Sequence, residues 1–148
     1  MEIKSLISRA ELSYYKLIIV VGKSGSGKTT LLRRISEELH IPLLNLGLEL
    51  SRRLLSLTNK QRKLMAAEVI EEILDEQGVP TLVIDNTEFI FDPNLKLNPS
   101  GLLKNISRNR LLIWSWNGEQ DGDQLIYSYA GHPEYHRIPS NEFITITT

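Results

Sequence analysis

The sequence contains no cysteine, and it also lacks any long apolar run. Without cysteine there can be no disulfide framework, no thiolate nucleophile and no cysteine-ligated metal site. No stretch approaches the roughly 18 to 20 apolar residues that a membrane-spanning helix needs. Neither charge sign dominates, since 17 Lys and Arg stand against 18 Asp and Glu. This balance argues against a uniformly basic nucleic-acid binder and against a disordered acidic chain.

The 148 residues, of which 41% are hydrophobic, suit one domain with a sizeable core. The first five residues, Met1–Ser5, lack the basic and then apolar layout of a secretory signal peptide. We therefore expect a single domain over residues 1–148 that works in the cytoplasm, away from membranes. Residues 1–40 hold seven basic and four acidic residues, whereas residues 111–148 hold one basic and five acidic. This asymmetry is explained either by scattered solvated charge or by head-to-tail stacking of copies.

Strand-length apolar runs alternate with longer amphipathic stretches. The runs are Leu17–Val21, Leu43–Leu46, Thr81–Ile84 and Leu111–Trp114. Strands that are almost wholly apolar are typical of a sheet covered on both faces. The stretches between them are long enough for the helical crossovers that parallel strands need. The pattern predicts a three-layer α/β/α fold of Rossmann-like type with a mainly parallel central sheet.

Helices are predicted between and around these runs, at Glu2–Leu12, Lys28–Leu39, Glu49–Leu57, Thr58 to Gly78 and Ser100–Ser107. The fourth begins with a capping-box signature, Thr at the cap and Gln three residues later, and Gly78 is a typical stop. Its buried residues are predicted to be Leu64, Met65, Ala67, Val69, Ile70, Ile73 and Leu74.

The last part of the chain is less regular. Strands are predicted at Leu125–Tyr129 and Phe143–Ile146, and the alternation in the second indicates an edge strand with one wetter face. The turn-rich segment Asn117–Asp123 is predicted to be a loop.

The most specific signal is an uninterrupted motif, Gly22-Lys23-Ser24-Gly25-Ser26-Gly27-Lys28-Thr29, which fits G-x-x-x-x-G-K-[ST]. A predicted strand precedes it and an amphipathic helix follows it. Glycines allow positive φ angles and close backbone approach, so successive N–H groups form a concave nest for phosphate oxygens at the positive end of the helix. The motif predicts that these eight residues and Thr30 bind the phosphates of ATP, with Lys28 reaching the β- and γ-phosphates.

An acidic residue follows a second buried run, Thr81–Ile84, and this residue is Asp85. Mg²⁺ takes oxygen ligands, and in phosphate-loop enzymes it is held by the hydroxyl of the motif and by such an aspartate. We therefore expect Thr29 and Asp85 to hold Mg²⁺ beside the phosphates.

The general base is open to two interpretations. Many additional-strand ATPases, the AAA+ class among them, carry Glu directly after the magnesium-binding Asp, whereas here the next residue is Asn86, whose amide cannot accept a proton. The nearest acid is Glu88, which returns toward the γ-phosphate if the loop begins a helical turn. Glu88 is the candidate base; alternatively it is a surface charge in a slow hydrolase or a nucleotide-gated switch.

Asn117 ends the strand that begins with the fourth apolar run. A polar residue there resembles the sensor of AAA+ proteins, which contacts the γ-phosphate and positions water. Ser115 takes this role if the register differs by two residues, and Asn117 is otherwise a turn residue before Gly118. Trp114 and Trp116 are predicted to pack in the core rather than to stack on bases.

Several basic residues lie outside the motif. Arg108 and Arg110 precede the Asn117 strand, and an arginine donated across a subunit interface can stabilise charge on a transferred phosphoryl group. Either residue is thus a candidate donor in trans, with solvated surface as the alternative. Arg52-Arg53 and Lys60–Lys63 form basic spots, but without interleaved aromatic residues they support DNA contact only weakly.

Three classes of nucleotide protein fit the motif. The guanine-specifying N-K-x-D motif is missing, since Asn59–Arg62 lacks the Asp, which argues against a Ras-like GTPase. Small-molecule kinases usually close an arginine-rich lid over the phosphates, and only Arg137 is basic after residue 110. An ATPase therefore fits best, and a kinase or an ATP-gated adaptor with little hydrolysis remain alternatives.

Several segments together resemble the BrxF family, the P-loop proteins of type 3 BREX phage-defence systems. Besides the glycine-rich motif they are Asp85–Glu88, Phe91–Pro93, Ser107–Arg110, Trp116–Gly118 and Gly131–Tyr135. The resemblance implies a bacterial, cytoplasmic ATP-binding component of a system that methylates host DNA and blocks phage replication, with other BREX proteins as partners.

Analogy with AAA+ and similar ATPases implies a particular strand order. The phosphate-loop strand is expected next to the sensor strand, which in turn lies next to the strand of Asp85, with nucleotide at the carboxyl ends. Few residues follow Asn117, so no C-terminal helical lid is expected. One side of the nucleotide would then be open, and we expect a homo-oligomer that forms in a nucleotide-dependent way.

Overall fold

The structure is a computed structural model that describes residues 3–148. The helices of this part of the chain are α1 (Ile3–Glu11), α2 (Lys28–Leu39), α3 (Leu46–Leu54), α4 (Asn59–Glu76) and α5 (Pro99–Ile106), with a 3₁₀ turn at Glu88–Phe91. Its strands are β1 (Leu17–Gly22), β2 (Leu43–Asn45), β3 (Thr81–Asp85), β4 (Leu111–Asn117), β5 (Glu119–Asp121), β6 (Gln124–Tyr127), β7 (His136–Pro139) and β8 (Ile144–Thr147).

The central sheet has the strand order β2-β3-β4-β1-β8, and every neighbouring pair is parallel. The glycine-rich motif follows β1, and β4 separates this strand from β3, which is the order expected from the sequence. Because the strands share one direction, Gly22, Asp85 and Asn117 come to the same edge of the sheet. Topology alone thus brings the predicted site residues to one place.

Helices cover both faces of this sheet, which confirms the predicted α/β architecture. All six residues of β1 are buried, because alternate side chains face two different apolar layers. Ile19 and Val21 pack with the buried residues of α3, α4 and α5, whereas Ile18 and Val20 pack with those of α1 and α2. Each such side chain contributes about 1.5–3 kcal/mol by leaving water.

The two tryptophans lie in the core, as predicted. Trp114 is fully buried and Trp116 is 1% exposed. The Trp116 indole Nε1 donates to the carbonyl of Ile126 at 3.0 Å and so ties β4 to β6. Within residues 3–148, the Trp114 indole nitrogen is the one buried side-chain donor without a hydrogen-bond partner.

Two helices were predicted well. α2, predicted from its apolar face, has the predicted limits. Thr58 caps α4, and both hydrogen bonds of the capping box with Gln61 are present, at 2.9 and 3.2 Å. The helix ends shortly before Gly78, whose φ of 66° is in the left-handed region that favours glycine.

The start of α3 was predicted wrongly. A strand through Leu46 and a helix from Glu49 were expected, but Leu46 is the first helical residue. The reason is the cap: the Asn45 side chain accepts a hydrogen bond from Leu48 N at 3.0 Å. An asparagine at this position satisfies a free backbone donor and begins the helix three residues early.

The buried face of α4 also differs from the predicted one. Leu64 is 74% and Met65 37% exposed, and Ala67 is exposed as well. The stripe that does pack on the sheet consists of Ala66, Val69, Ile70, Ile73 and Leu74. The first turns of α4 have no buried residue over 59–65, so they extend past the core and their apolar side chains find nothing to cover them.

The region after β4 is a small antiparallel sheet of order β5-β6-β7. The predicted loop Asn117–Asp123 contains β5, and the predicted strand Leu125–Tyr129 is the slightly earlier β6. β5 consists of polar residues and β7 is short, so neither shows an apolar pattern. Leu125 and Ile138 join this small sheet to the main core.

The remaining boundaries agree within one or two residues, except that α3 ends at Leu54 and not at the predicted Leu57. β8 lies at the edge of the central sheet, as predicted for the alternating C-terminal segment. α5 begins one residue early, with Asn98 as its cap. The predicted first helix corresponds to α1, and Glu2 lies outside the described residues. No helix within residues 3–148 is both long and apolar enough to cross a membrane.

Candidate functional site

The carboxyl ends of β1, β3 and β4 open into a cavity of about 540 Å³. The residues that line it are Lys23, Ser24, Gly25, Gly27, Lys28, Thr29, Thr30, Asp85, Asn86, Glu88 and Asn117. Most of the glycine-rich motif is thus brought together with four polar residues from distant parts of the sequence, Asp85, Asn86, Glu88 and Asn117. The cavity lining contains no apolar side chain larger than the methyl group of threonine.

The glycine-rich loop presents backbone donors to this cavity. Gly25 and Gly27 have φ angles of 83° and 92°, which glycine adopts without penalty. Gly27 is the cap of α2, and no side chain accepts a hydrogen bond from the first turn of that helix. The first N–H groups of a helix have no partner within it. The loop therefore combines free N–H donors with the positive end of a helix, which suits an anion.

Lys28 is the buried cation of the cavity. Lys28 is only 6% exposed, and its Nζ donates a hydrogen bond to Ser115 Oγ at 2.7 Å. Burial lowers the pKa of Lys28, while the nearby carboxylates of Asp85 and Glu88 favour the charged form and oppose that shift. An incompletely solvated ammonium gains much from a charged acceptor such as a phosphate oxygen.

Asp85 and Thr29 line the same cavity from two elements. Asp85 is the last residue of β3, and Thr29 lies in the first turn of α2. Both offer oxygen atoms, and Mg²⁺ is usually held by one or two protein oxygens together with substrate phosphates. The donor set of the cavity therefore fits Mg²⁺ beside a bound phosphate chain.

Glu88 and Asn117 contact each other across the cavity wall. The 3₁₀ turn begins at Glu88 and carries this residue back toward the cavity, as the sequence analysis required. The Asn117 Nδ2 donates a hydrogen bond to Glu88 Oε1. A carboxylate can accept a proton and an amide can orient a water molecule, so the pair has the chemistry that water activation needs.

Asn86 joins the site to α3. Its φ is 57°, a conformation that asparagine accepts more readily than most residues. The Asn86 Nδ2 donates to Asn45 Oδ1 at 2.9 Å, and the cap of α3 is formed by that same oxygen. Gly47 makes this approach close, because a Cβ there would overlap the Asn86 side chain and carbonyl. The loop after Asp85 is therefore fixed by the start of α3.

Two buried hydroxyl residues support the site, and the sequence analysis missed one of them. Thr87 is 2% exposed, and its hydroxyl donates to the backbone carbonyl of Ser115. Ser115, considered only as an alternative sensor, lies beneath Lys28 and so links β4 to both neighbouring loops. A single hydroxyl residue within an otherwise apolar segment was the signal for Ser115, whereas Thr87 stands among polar residues and had no such signal.

Gly22 and Ser26, which were predicted to bind phosphate, lie outside the cavity lining and support the loop. The Ser26 hydroxyl is 2.7 Å from Thr148 Oγ1, which also donates to the Val21 carbonyl at 3.1 Å. Any Cβ at Gly22 would overlap both hydroxyl groups. The position therefore needs glycine because β8 ends against the loop.

The two arginine candidates lie away from the cavity, before β4 and hence at the opposite edge of the sheet. The Arg110 guanidinium pairs with Glu71 at 3.2 Å and with Asp75, and its side chain is 14% exposed. Arg108 lies over the ring of Tyr14, 4.6 Å from its centre. The structure brings neither residue into the cavity of its own chain.

No protein-family model matches the chain, and no curated protein matches it. Functional inference therefore depends on the chemistry of the cavity.

Proposed function

We propose that the protein binds ATP with Mg²⁺ in this cavity and hydrolyses it, as a P-loop NTPase of the additional-strand type. The observation that carries the proposal is a juxtaposition: free N–H groups opened by Gly25 and Gly27 lie beside the buried ammonium of Lys28 and the carboxylate of Asp85. A glycine turn between a strand and a helix needs neither charged group. All of them together match the requirements of a triphosphate.

Each group has a defined part in binding. The backbone N–H groups of the loop hold phosphate oxygens, and Lys28 transfers its hydrogen bond from Ser115 to the β- and γ-phosphates. Thr29 and Asp85 hold Mg²⁺, which neutralises charge on the phosphates when it is bound. The sheet order supports this assignment, because β4 lies between the loop and Asp85 as in other enzymes of this type.

Hydrolysis requires an activated water molecule. The water oxygen forms a bond to the γ-phosphorus, the bond from that phosphorus to the bridging oxygen breaks, and ADP leaves with the electron pair. Glu88 accepts the proton of the water and later returns it to solvent. Asn117, which contacts Glu88, orients the same water.

The experiment is calorimetric titration with ATP and Mg²⁺, followed by a steady-state assay of phosphate release. Lys28→Ala should abolish binding. Glu88→Gln should retain binding and lower turnover by about 10²–10⁴-fold, the usual contribution of a general base. Glu68→Gln, an exposed residue on α4, is the matched control and should behave as wild type. Absence of binding heat with ATP, ADP and GTP would refute the proposed function.

One observation favours a second function, an ATP-gated adaptor with little hydrolysis. The amide of Asn117 donates to Glu88 Oε1 and so occupies acceptor capacity that a water molecule would otherwise use. For an adaptor, binding persists in both wild type and Glu88→Gln, and phosphate release is equally slow in both. Comparing phosphate release by the wild type and by Glu88→Gln therefore distinguishes an ATPase from an adaptor.

The likeness to the BrxF family supports a role for this ATPase in a type 3 BREX system, with other proteins of that system as partners. A nucleotide-dependent homo-oligomer is part of the same proposal. Its support is the exposure of Lys23, Ser24 and Thr30, which leaves one side of the cavity open to a second subunit.

A further inference from the structure

A second cleft lies beside α4 and α5 and shares no lining residue with the first cavity, and the inference from it is independent of the proposed function. Its volume is about 470 Å³. Four cationic side chains line it from three separate parts of the chain, namely Lys63 on α4, Lys96 before α5, and Lys104 and Arg108 in and after α5. Among the described residues that line it, none is acidic. A cleft of this kind concentrates positive potential.

Most of this charge has no internal partner. Lys104 pairs with Glu142 at 3.1 Å. In the part of the chain that the structure describes, no ion pair involves Lys63, Lys96 or Arg108. By contrast, Arg110 nearby has two carboxylate partners, so pairing is not rare in this region. Cations gathered without partners repel one another and are stabilised when a polyanion binds.

The backbone conformation at Lys96 also supports a binding role for this cleft. Its φ is 52°, in the region where glycine or asparagine costs least. A lysine held there carries a conformational cost, and residues of this kind cluster at ligand-binding sites. The exposed side chain of Lys96 lines the cleft.

Aromatic rings stand among these cations. Tyr15 lines the cleft, with the Lys104 ammonium 5.6 Å from its ring centre. Tyr14 packs edge-on against Tyr15 at 4.8 Å, is 63% exposed, and has the Arg108 guanidinium over its ring. The interleaving of aromatic and basic residues that the sequence lacks is thus produced by the fold.

We propose that this cleft binds single-stranded nucleic acid. Phosphates lie on Lys63, Lys96, Lys104 and Arg108, and a base stacks on the exposed ring of Tyr14. Cationic grooves with aromatic platforms are the recurring means by which proteins hold single strands, because an unpaired base offers a face for stacking and a duplex does not. The main competitor for the cleft is the acidic segment 111–148 of a second copy.

The test is fluorescence anisotropy with labelled single-stranded DNA and RNA oligonucleotides and a duplex, over a range of salt concentrations. Four phosphate contacts predict a slope of log affinity against log salt of about −2.8 for single strands, and Lys96→Ala with Arg108→Ala should reduce it to about −1.4. Tyr14→Ala should weaken binding about tenfold, whereas Tyr14→Phe keeps the ring and should bind as wild type.

The matched control removes two exposed cations elsewhere, Arg33→Ala on α2 with Lys4→Ala on α1. It should leave affinity and slope close to wild type, and a loss equal to that of the cleft variant would overturn the proposal. So would absence of binding to any single strand, or tighter binding to the duplex. Self-association that the cleft variant abolishes, without oligonucleotide binding, would assign the cleft to a second copy instead.

The two proposals can fail separately. Lys28 lines the first cavity and not the cleft, so Lys28→Ala should keep oligonucleotide affinity while losing ATP. Circular dichroism of every variant verifies the fold before its affinity is interpreted. If the folded double variant Lys96→Ala with Arg108→Ala keeps wild-type affinity for the oligonucleotide, the proposal for the cleft is refuted. This holds whatever the result with ATP.

Discussion

Gly47→Ala tests whether the contact between α3 and the loop after Asp85 positions the site. A Cβ at Gly47 would lie 2.7 Å from Asn86 Cγ and 2.8 Å from Asn86 Nδ2, and nearer still to the Asn86 carbonyl oxygen. Non-bonded carbon atoms prefer about 3.5–4.0 Å, so the two segments must separate by roughly 1 Å. The obstacle includes backbone, which cannot simply rotate away.

The expected loss of stability follows from this overlap. Overpacking of this kind costs about 1–3 kcal/mol. For a chain of this size each kcal/mol lowers Tm by about 2–4 °C, so a fall of roughly 2–12 °C is expected. The displacement begins one residue from Asp85, and loss of a group that supports a metal ligand typically weakens metal affinity by about 10- to 100-fold. The magnesium-dependent part of ATP affinity should therefore fall with Tm.

Thermal unfolding and calorimetric titration with and without Mg²⁺ measure both effects. Gly101→Ala is the control, since the three atoms nearest its Cβ would all belong to the Asn98 side chain, none of them closer than 3.3 Å, and alanine favours the helix by about 1 kcal/mol. Its Tm should stay level or rise, and its ATP affinity should not change. A Gly47→Ala protein with wild-type Tm and wild-type dependence on Mg²⁺ would show that the contact does not position Asp85.

Two further predictions concern charge and assembly. Folding lowers the pKa of Lys28 from its ordinary value of 10.5. Between the folded and the unfolded pKa of this lysine, the unfolded chain therefore binds more protons than the folded protein. The free energy of unfolding of the nucleotide-free protein accordingly rises as pH increases through that window. Lys28→Met should lose this rise and be more stable at neutral pH, which urea unfolding at about pH 7 and about pH 10 would measure; equal pH profiles would contradict it. Sedimentation velocity should show larger species with a non-hydrolysable ATP analogue, and an unchanged monomer would argue against nucleotide-dependent assembly.

The parts of the fold that could be predicted are those with a signal in the local sequence, such as a helix cap or a run that is apolar on both faces. Leu17–Val21 is apolar at every position because both of its faces are covered. Thr58 marks the start of α4 because its side chain caps that helix. The polar residues of β5 carry no such signal, since that short strand pairs only with β6 and remains largely in solvent. The start of α3 escaped prediction because one hydrogen bond, from Leu48 to Asn45, decides it.

The same distinction applies to the site. The motif predicted a phosphate-binding loop after β1, and the parallel direction of the strands brings Asp85 and Asn117 beside that loop. The contacts of Ser115, Thr87 and Thr148 could not be predicted, because they depend on the register between strands and on side-chain packing across the sheet. The second cleft could not be predicted from the sequence either, because its cations come from segments that only the folded chain brings together.

The burial of both tryptophans in one strand has a practical consequence. The sequence has two tryptophans, Trp114 and Trp116, and β4 carries both of them to within a few residues of Asn117. All indole emission of the protein therefore originates beside the cavity, from rings shielded from water. An unlabelled sample carries its own optical reporter of what happens there.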